Sequence, residues 1–563
     1  MNIAPIDLII IVVYLLGISA IGILSGYRKT ASTQEYFLAG KSLRWFSIGS
    51  ALFASNISTI HLVGLAAAGA SVGIVMGNFE WMASFCLIAL ALFFAPLYYR
   101  SRIQTLPEYM EKRYSATART YLAVIAIFAA LLIHIGISLF AGAKLFEAFL
   151  GFPVTGSILV ISLVTVIYTI LGGLRGVVIT ETIQTFLLLG GAVLVAWLGI
   201  AYLPQVGVHS YSDFKAQLEP DQMSMLHALY NAEGNLNPYS WLAILLGYPV
   251  LGIWYWCSDQ TIVQRVLGAG SENHAKNGAV FAGFLKILPL FLMVFPGVVG
   301  YVLYKNGALG LGFMDDGTPD YNTVLPNMIN LLIPTGLKGL LAAGLLAALM
   351  STIAAALNSC ATLISVDIVK RLKPNVSDAR QVSIGRISAG VVMVLAILWS
   401  TQADQFGTIF EAINKIPMIF APSVTTVLVF GVLWKRGTNH AALTTFVVGC
   451  LIGAIYFIID MPVVGRALLD APRLGFEGLV TDPVQGLGLP FMIVGPIITV
   501  ICMVTFVAVS LRTLPPLDEQ LQHVCWGSPL AALRDGERNG MRDPRVWSIV
   551  LFFVMFVLYI ILR

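Results

Sequence analysis

Charge is what this chain has least of. Asp, Glu, Lys and Arg make up 11% of its 563 residues, where a soluble domain carries about 25%. With 58% hydrophobic residues and a mean hydropathy of +0.85, a water-soluble domain is excluded and a polytopic membrane protein remains. The net charge of +4 is too small to draw in nucleic acid. Cysteine is also scarce: Cys86, Cys257, Cys360, Cys450 and Cys502 fall in apolar runs and Cys525 in a polar stretch, without disulfide or metal-ligand spacing. The longest polar stretches, 203–238 and 512–545, are too short to form an appended domain. No nucleophile, base and orienting group stand together in the pattern of a catalytic site, so the chain does not read as an enzyme.

What the chain does have is apolar length. A span needs about 20 apolar residues, and about fourteen such runs are present. They lie near 5–26, 45–74, 78–99, 120–148, 153–172, 177–203, 239–258, 277–304, 325–365, 384–402, 406–433, 438–459, 487–511 and 546–562. The 45–74 and 325–365 runs are long enough to be broken or tilted. Residues 1–26 lack a basic leader and a small-residue cleavage site, so they read as an uncleaved first span. Arg28, Lys29, Lys41, Arg44, Arg100, Arg102, Lys112 and Arg113 crowd the first loops of one side. The positive-inside rule then places both termini outside a plasma or inner cell membrane.

Five spans in 45–204 and five in 239–433 read as two units, and an odd span number inverts the second relative to the first. The first span and inner loop (1–44) precede them, an extracellular loop (205–238) separates them, and three further spans with their loops (434–563) follow. Inverted repeats of this kind place a substrate site at the midplane, lined by discontinuous helices. Candidate breaks are 54–59 in span two and 246–252 in span seven, where turn-compatible residues interrupt apolar runs. The fold class expected is all-α.

Lys286 lies inside the apolar run 280–295. A cation at mid-bilayer costs roughly 2.5–3.5 kcal/mol, so it must have polar partners. Glu80 opens the third span and His61 lies in the second; either could serve a ligand rich in hydroxyls, or merely an exposed end and a backbone carbonyl. Ala348, Ser351 and Thr352 stand at i, i+3 and i+4, so one helix face offers two hydroxyls beside a carbonyl. Such a face suits sodium, although hydroxyls in membrane helices also bond the i−4 carbonyl. Residues 254–256, Trp254, Tyr255 and Trp256, offer flat faces for a sugar ring, or packing. Asp259, Gln260 and Arg265 read as a structural network, and Lys415 has no evident partner.

These residues belong to stretches that resemble the sodium/solute symporter family, nearest its sodium/glucose (sodium/galactose) branch. The stretches are YFLAGKSL at 36–43, FASNIS at 53–58 followed by His61, FEW at 79–81, TLPEY at 105–109, GGL at 172–174, WYWC at 254–257 with Asp259 and Gln260, Lys286 after Leu285, and Asn358 with Ser359. The resemblance implies a sodium site built from the carbonyls of Ala54, Ile57 and Ala348 and the hydroxyls of Ser351 and Thr352. It implies hydrogen bonds from Asn56, His61, Glu80 and Lys286 to sugar hydroxyls, with Asn414 where the branch carries Gln. Tyr255, beside Trp256, would close the inner side, and Leu65, Phe79 and Phe410 the outer. Gly252 stands where the branch presents Asn or Thr, Ala83 where it has a small polar residue and Glu181 where Asp is common. Ala354 and Ala355 lack the hydroxyls of a second ion site, so one sodium ion is expected. The implied activity is import of a neutral hexose, such as glucose or galactose, with sodium by alternating access across the bilayer. Symport of myo-inositol, an amino acid or a carboxylate, or a sodium-dependent sugar sensor or leak channel, are the alternatives. A carboxylate would want an unpaired Arg in the spans, and none is evident there.

Overall fold

The computed structural model describes residues 4–27, 32–231, 234, 236–314, 317–401, 415–460, 490–536 and 539–563. Helices α1 (Pro5–Tyr27), α2 (Trp45–Asn56), α3 (Thr59–Ser71), α4 (Asn78–Ala89) and α5 (Ala116–Ala129) open the bundle. Then come α6 (Val154–Tyr202), α7 (Trp241–Ile253), α8 (Gln260–Leu267), α9 (Glu272–Leu285), α10 (Phe295–Lys305), α11 (Leu337–Thr362) and α12 (Asp378–Ser400). The last four are α13 (Ala421–Leu433), α14 (Asn439–Ile459), α15 (Phe491–Arg512) and α16 (Pro544–Ile561).

Among the described residues eleven helical stretches are long and apolar enough to cross a membrane, and twelve when α2 and α3 count as one broken span. The shortfall from fourteen has two sources. The runs 153–172 and 177–203 are merged in α6, whose 49 residues would reach about 74 Å as one straight helix, far more than a ~30 Å hydrocarbon core. Gly173 divides it, with φ 57° and ψ −163°, and a side chain there would meet the Tyr36 carbonyl. Of the run 406–433, only α13 and the short turn before it are described, and 402–414 lie outside the described residues. The long run 325–365 is also divided: a short helix Val324–Leu332 precedes α11, and Gly336 turns the chain with φ 90°.

The break in span two falls where expected. α2 ends at Asn56, Ile57 is extended, and α3 leaves at an angle of 62°. In span seven the expected break at 246–252 is wrong. α7 runs straight through Gly247 and Pro249, opens into a wide turn over Trp254–Ser258, and breaks at Asp259, whose backbone is extended. A proline inside a helix forfeits one hydrogen bond, which a packed bundle tolerates. Gly247 serves contact instead: the Met492 backbone occupies the place of its missing side chain. Asp259 starts α8 by accepting the Thr261 N–H at 2.7 Å.

α11 lies at the centre, buried over nearly its whole length, whereas α1 and α16 are mostly exposed on apolar side chains. Its run of Ala and Gly lets α6 and α12 approach closely, the usual means of helix association in lipid.

Candidate functional site

The broken end of α2 abuts the middle of α11. Ser351 donates to the Ala54 carbonyl at 2.8 Å and lies 2.8 Å from the Ala348 carbonyl, which Thr352 also approaches at 3.3 Å. Because the chain leaves the helix at Ile57, the Ala54 carbonyl has no backbone donor one turn on: the Ser58 N–H turns to His61 instead. Two carbonyls, of Ala54 and Ala348, and two hydroxyls, of Ser351 and Thr352, thus meet from the two segments the sequence singled out, while no contact ties the Ile57 carbonyl to them. All four oxygens are neutral, which suits a hard monovalent cation better than a divalent one. Among the described residues no cluster of three His, Cys, Asp or Glu side chains could hold a metal.

Beside this lies a cavity of about 130 Å³ whose walls include Asn56, His61, Leu65, Phe79, Glu80, Tyr255, Trp256 and Thr352. Thr352 therefore belongs to both the oxygen cluster and the cavity. Lys286 does not line it. The side chain is 1% exposed and stands behind the wall, donating to Asn56 and paired with Glu80. Its ammonium is also 5.2 Å from the centre of the Trp256 ring and 5.7 Å from that of Phe53. The sequence was right that Lys286 needs partners; its reach to a ligand runs through Asn56 and Glu80. It sits at the C-terminal cap of α9, where the helix dipole favours a cation.

His61 serves no backbone carbonyl but caps the start of α3. Its Nδ1 accepts the Ser58 backbone N–H at 3.2 Å, which leaves the ring proton on Nε2, 4.0 Å from Glu80 and on the cavity side. Tyr255 packs edge-on to His134 and Trp256. Phe79 meets Tyr239, Tyr248 and Phe491 edge-on or tilted. Phe410 and Asn414 lie outside the described residues.

Asp259, Gln260 and Arg265 do form a buried polar framework. Arg265 pairs with Glu181 at 2.5 Å, both wholly buried, and Glu181 also accepts from Ser55 at 2.9 Å. His134 meets Asp259 at 2.7 Å, and Gln260 accepts the Leu106 N–H at 2.9 Å. Lys415 has a partner after all: Asp460, at the end of α14, at 2.8 Å. Of the stretch 512–545, residues 523–526 pack across one end of the bundle. Trp526 donates its indole N–H to Phe93 and its backbone N–H to Val432, while Tyr109 donates to Val524.

The cavity also uses His134, Ser138 and Tyr248, which the sequence reading passed over. His134 had a legible signal, a lone imidazole in the apolar run 120–148 like the ammonium of Lys286. Tyr248 had none, since an aromatic on an apolar helix ordinarily packs.

Broken helices meeting at an oxygen cluster beside a polar-lined cavity define a secondary transporter. A profile of the sodium:solute symporter family matches residues 36–449. The chain is 30% identical over 546 residues to sodium/glucose cotransporter 1 of Oryctolagus cuniculus, covering 92% of this chain and 81% of that one. It is 33% identical over 487 residues to sodium/glucose cotransporter 2 of Rattus norvegicus, with 80% and 71% covered. To sodium/myo-inositol cotransporter 2 of Homo sapiens it is 30% identical over 541 residues, with 93% and 79% covered. Among solved structures, a Na+-coupled sialic acid symporter superposes with a TM-score of 0.73 at 21% identity, over 91% of this chain and 99% of that one. The chain belongs to the sodium:solute symporter family. It is a sodium-coupled membrane transporter and not an enzyme.

Proposed function

We propose that this symporter imports a neutral polyhydroxyl solute, a hexose such as glucose or galactose, with one sodium ion by alternating access. The observation that carries the reading is the place of Thr352, shared between the oxygen cluster and the cavity. An ion held by Ala54, Ile57, Ala348, Ser351 and Thr352 would fix the end of α2, and with it Asn56, which lines the cavity. Sodium would thereby raise affinity for the solute. Asn56, His61 and Glu80 supply donors and acceptors to hydroxyls, while Lys286 holds Asn56 and Glu80 in place. Tyr255 stacks on the sugar ring as the inner gate, beside Trp256, which also contacts the solute; Leu65, Phe79 and Phe410 form the outer gate, with Asn414 a further polar contact.

The architecture that supports this is fourteen spans, with α6 counted as two, and two inverted units over 45–204 and 239–433. The segment 1–44 precedes them, 205–238 lies outside, and 434–563 adds three spans. Both termini face outward. Sodium-dependent uptake of labelled hexoses, inositols and amino acids into proteoliposomes is the test, and sodium-driven accumulation of a hexose is the expected result. Accumulation of amino acids alone would overturn it, and equilibration without accumulation would mean a leak or sensor. Myo-inositol is the second reading, supported by relatives named for it at 30% identity.

A further inference from the structure

Gly252 leaves a gap in the cavity wall that another residue fills. It stands on α7 one turn after Tyr248, so the two share a helix face, and both line the cavity. A side chain built on Gly252 would begin 2.6 Å from the Tyr248 ring and 2.6 Å from the Cys86 sulfur. The tyrosine ring therefore lies over the bare glycine. It is held edge-on by Phe79 at 6.3 Å. A phenol has one proton to give. Among the described residues no acceptor takes it.

We propose that Tyr248 is a specificity-determining residue, its phenol standing in for the side chain that Gly252 lacks and donating to one oxygen of the solute. The assignment rests on the cavity being the neutral-solute site. A phenol held by Phe79 makes one fixed donor, which discriminates between epimers that place a hydroxyl toward it or away. It also leaves no room for a polar side chain at 252 unless the ring is removed and the Cys86 sulfur turns aside.

The experiment measures uptake of a series of hexose epimers, single-deoxy analogues and inositols by wild type, Tyr248→Phe, Gly252→Asn and the double variant Tyr248→Ala/Gly252→Asn. Tyr248→Phe should lose about tenfold in affinity for the preferred solute, the scale of one hydrogen bond to a bound ligand. One deoxy analogue, lacking the contacted oxygen, should be taken up equally by both proteins. The sodium concentration for half-maximal uptake should stay unchanged, which a general packing defect would not allow. Gly252→Asn alone should lose uptake, and the double variant should regain it with a different order of preference. If wild type takes up these solutes and Tyr248→Phe keeps the same affinities and order, the assignment of Tyr248 fails alone. If wild type takes up none of them, the solute reading fails and the assignment with it.

Discussion

Ser351 gives its hydroxyl hydrogen to the carbonyl of Ala54, 297 positions earlier in the chain, at 2.8 Å. The bond joins the frayed end of α2 to the centre of the most enclosed helix. A helix end is the one place in a membrane where backbone oxygens are free for another partner.

Replacing Thr352 by Ala should raise the sodium concentration for half-maximal uptake by about tenfold, with a smaller change in solute affinity at saturating sodium. Ser351→Ala should do more, because it also cuts the link to Ala54. Sodium titration of uptake checks both. If the double Ala variant kept the parent's sodium curve, the ion would have to bind elsewhere.

Lys286→Met strands Glu80, which is 3% exposed, without its cation. Breaking a buried pair costs about 3–5 kcal/mol, so the variant should melt well below the parent. Adding Glu80→Gln should recover most of the lost melting temperature yet leave solute binding weak, since both groups order the cavity wall. A single variant as stable as the parent would show that the pair contributes nothing to the fold.

We expect a single ion per solute, because Ala354 and Ala355 are wholly buried and carry no side-chain hydroxyl for a second site. Flux ratios of labelled sodium and solute should approach one to one, and the sodium dependence should be hyperbolic. Two sodium ions per solute would contradict this.

Arg265→Met should destabilise by about 3–5 kcal/mol, because Glu181 is left buried beside Ser55. Glu181→Gln in the same chain should restore part of that loss, a coupling a double-mutant cycle on melting reads directly. Independent, additive effects would refute the pairing.

The parts legible in the sequence were those where one polar residue makes an apolar run expensive, or where spacing alone fixes a face. Lys286 announced a partnered site, and Ser351 with Thr352 announced an oxygen-bearing face opposite a suspected break. The break in span seven was misplaced because Gly247 and Pro249 look like helix breakers, whereas one serves a close approach and the other costs a single bond. The breaking residue, Asp259, is an N-cap, and its effect depends on the wide turn before it. Partners across the bundle were invisible: nothing near Lys415 points to Asp460, and nothing in α7 says that Tyr248 leans over Gly252. Such contacts depend on helix rotation, which the apolar pattern of a mostly buried helix does not specify.

The oxygens around Ser351 have an electrical consequence. None carries a formal charge, and the nearby Arg265 and Glu181 cancel each other, so an ion seated there adds a full positive charge to the bundle. The loaded protein therefore feels the membrane voltage, at about 2.3 kcal/mol per 100 mV for a charge crossing the whole field. The same protein returning without ion or solute does not gain that charge. Uptake should then register as an inward current that grows as the cell interior becomes more negative.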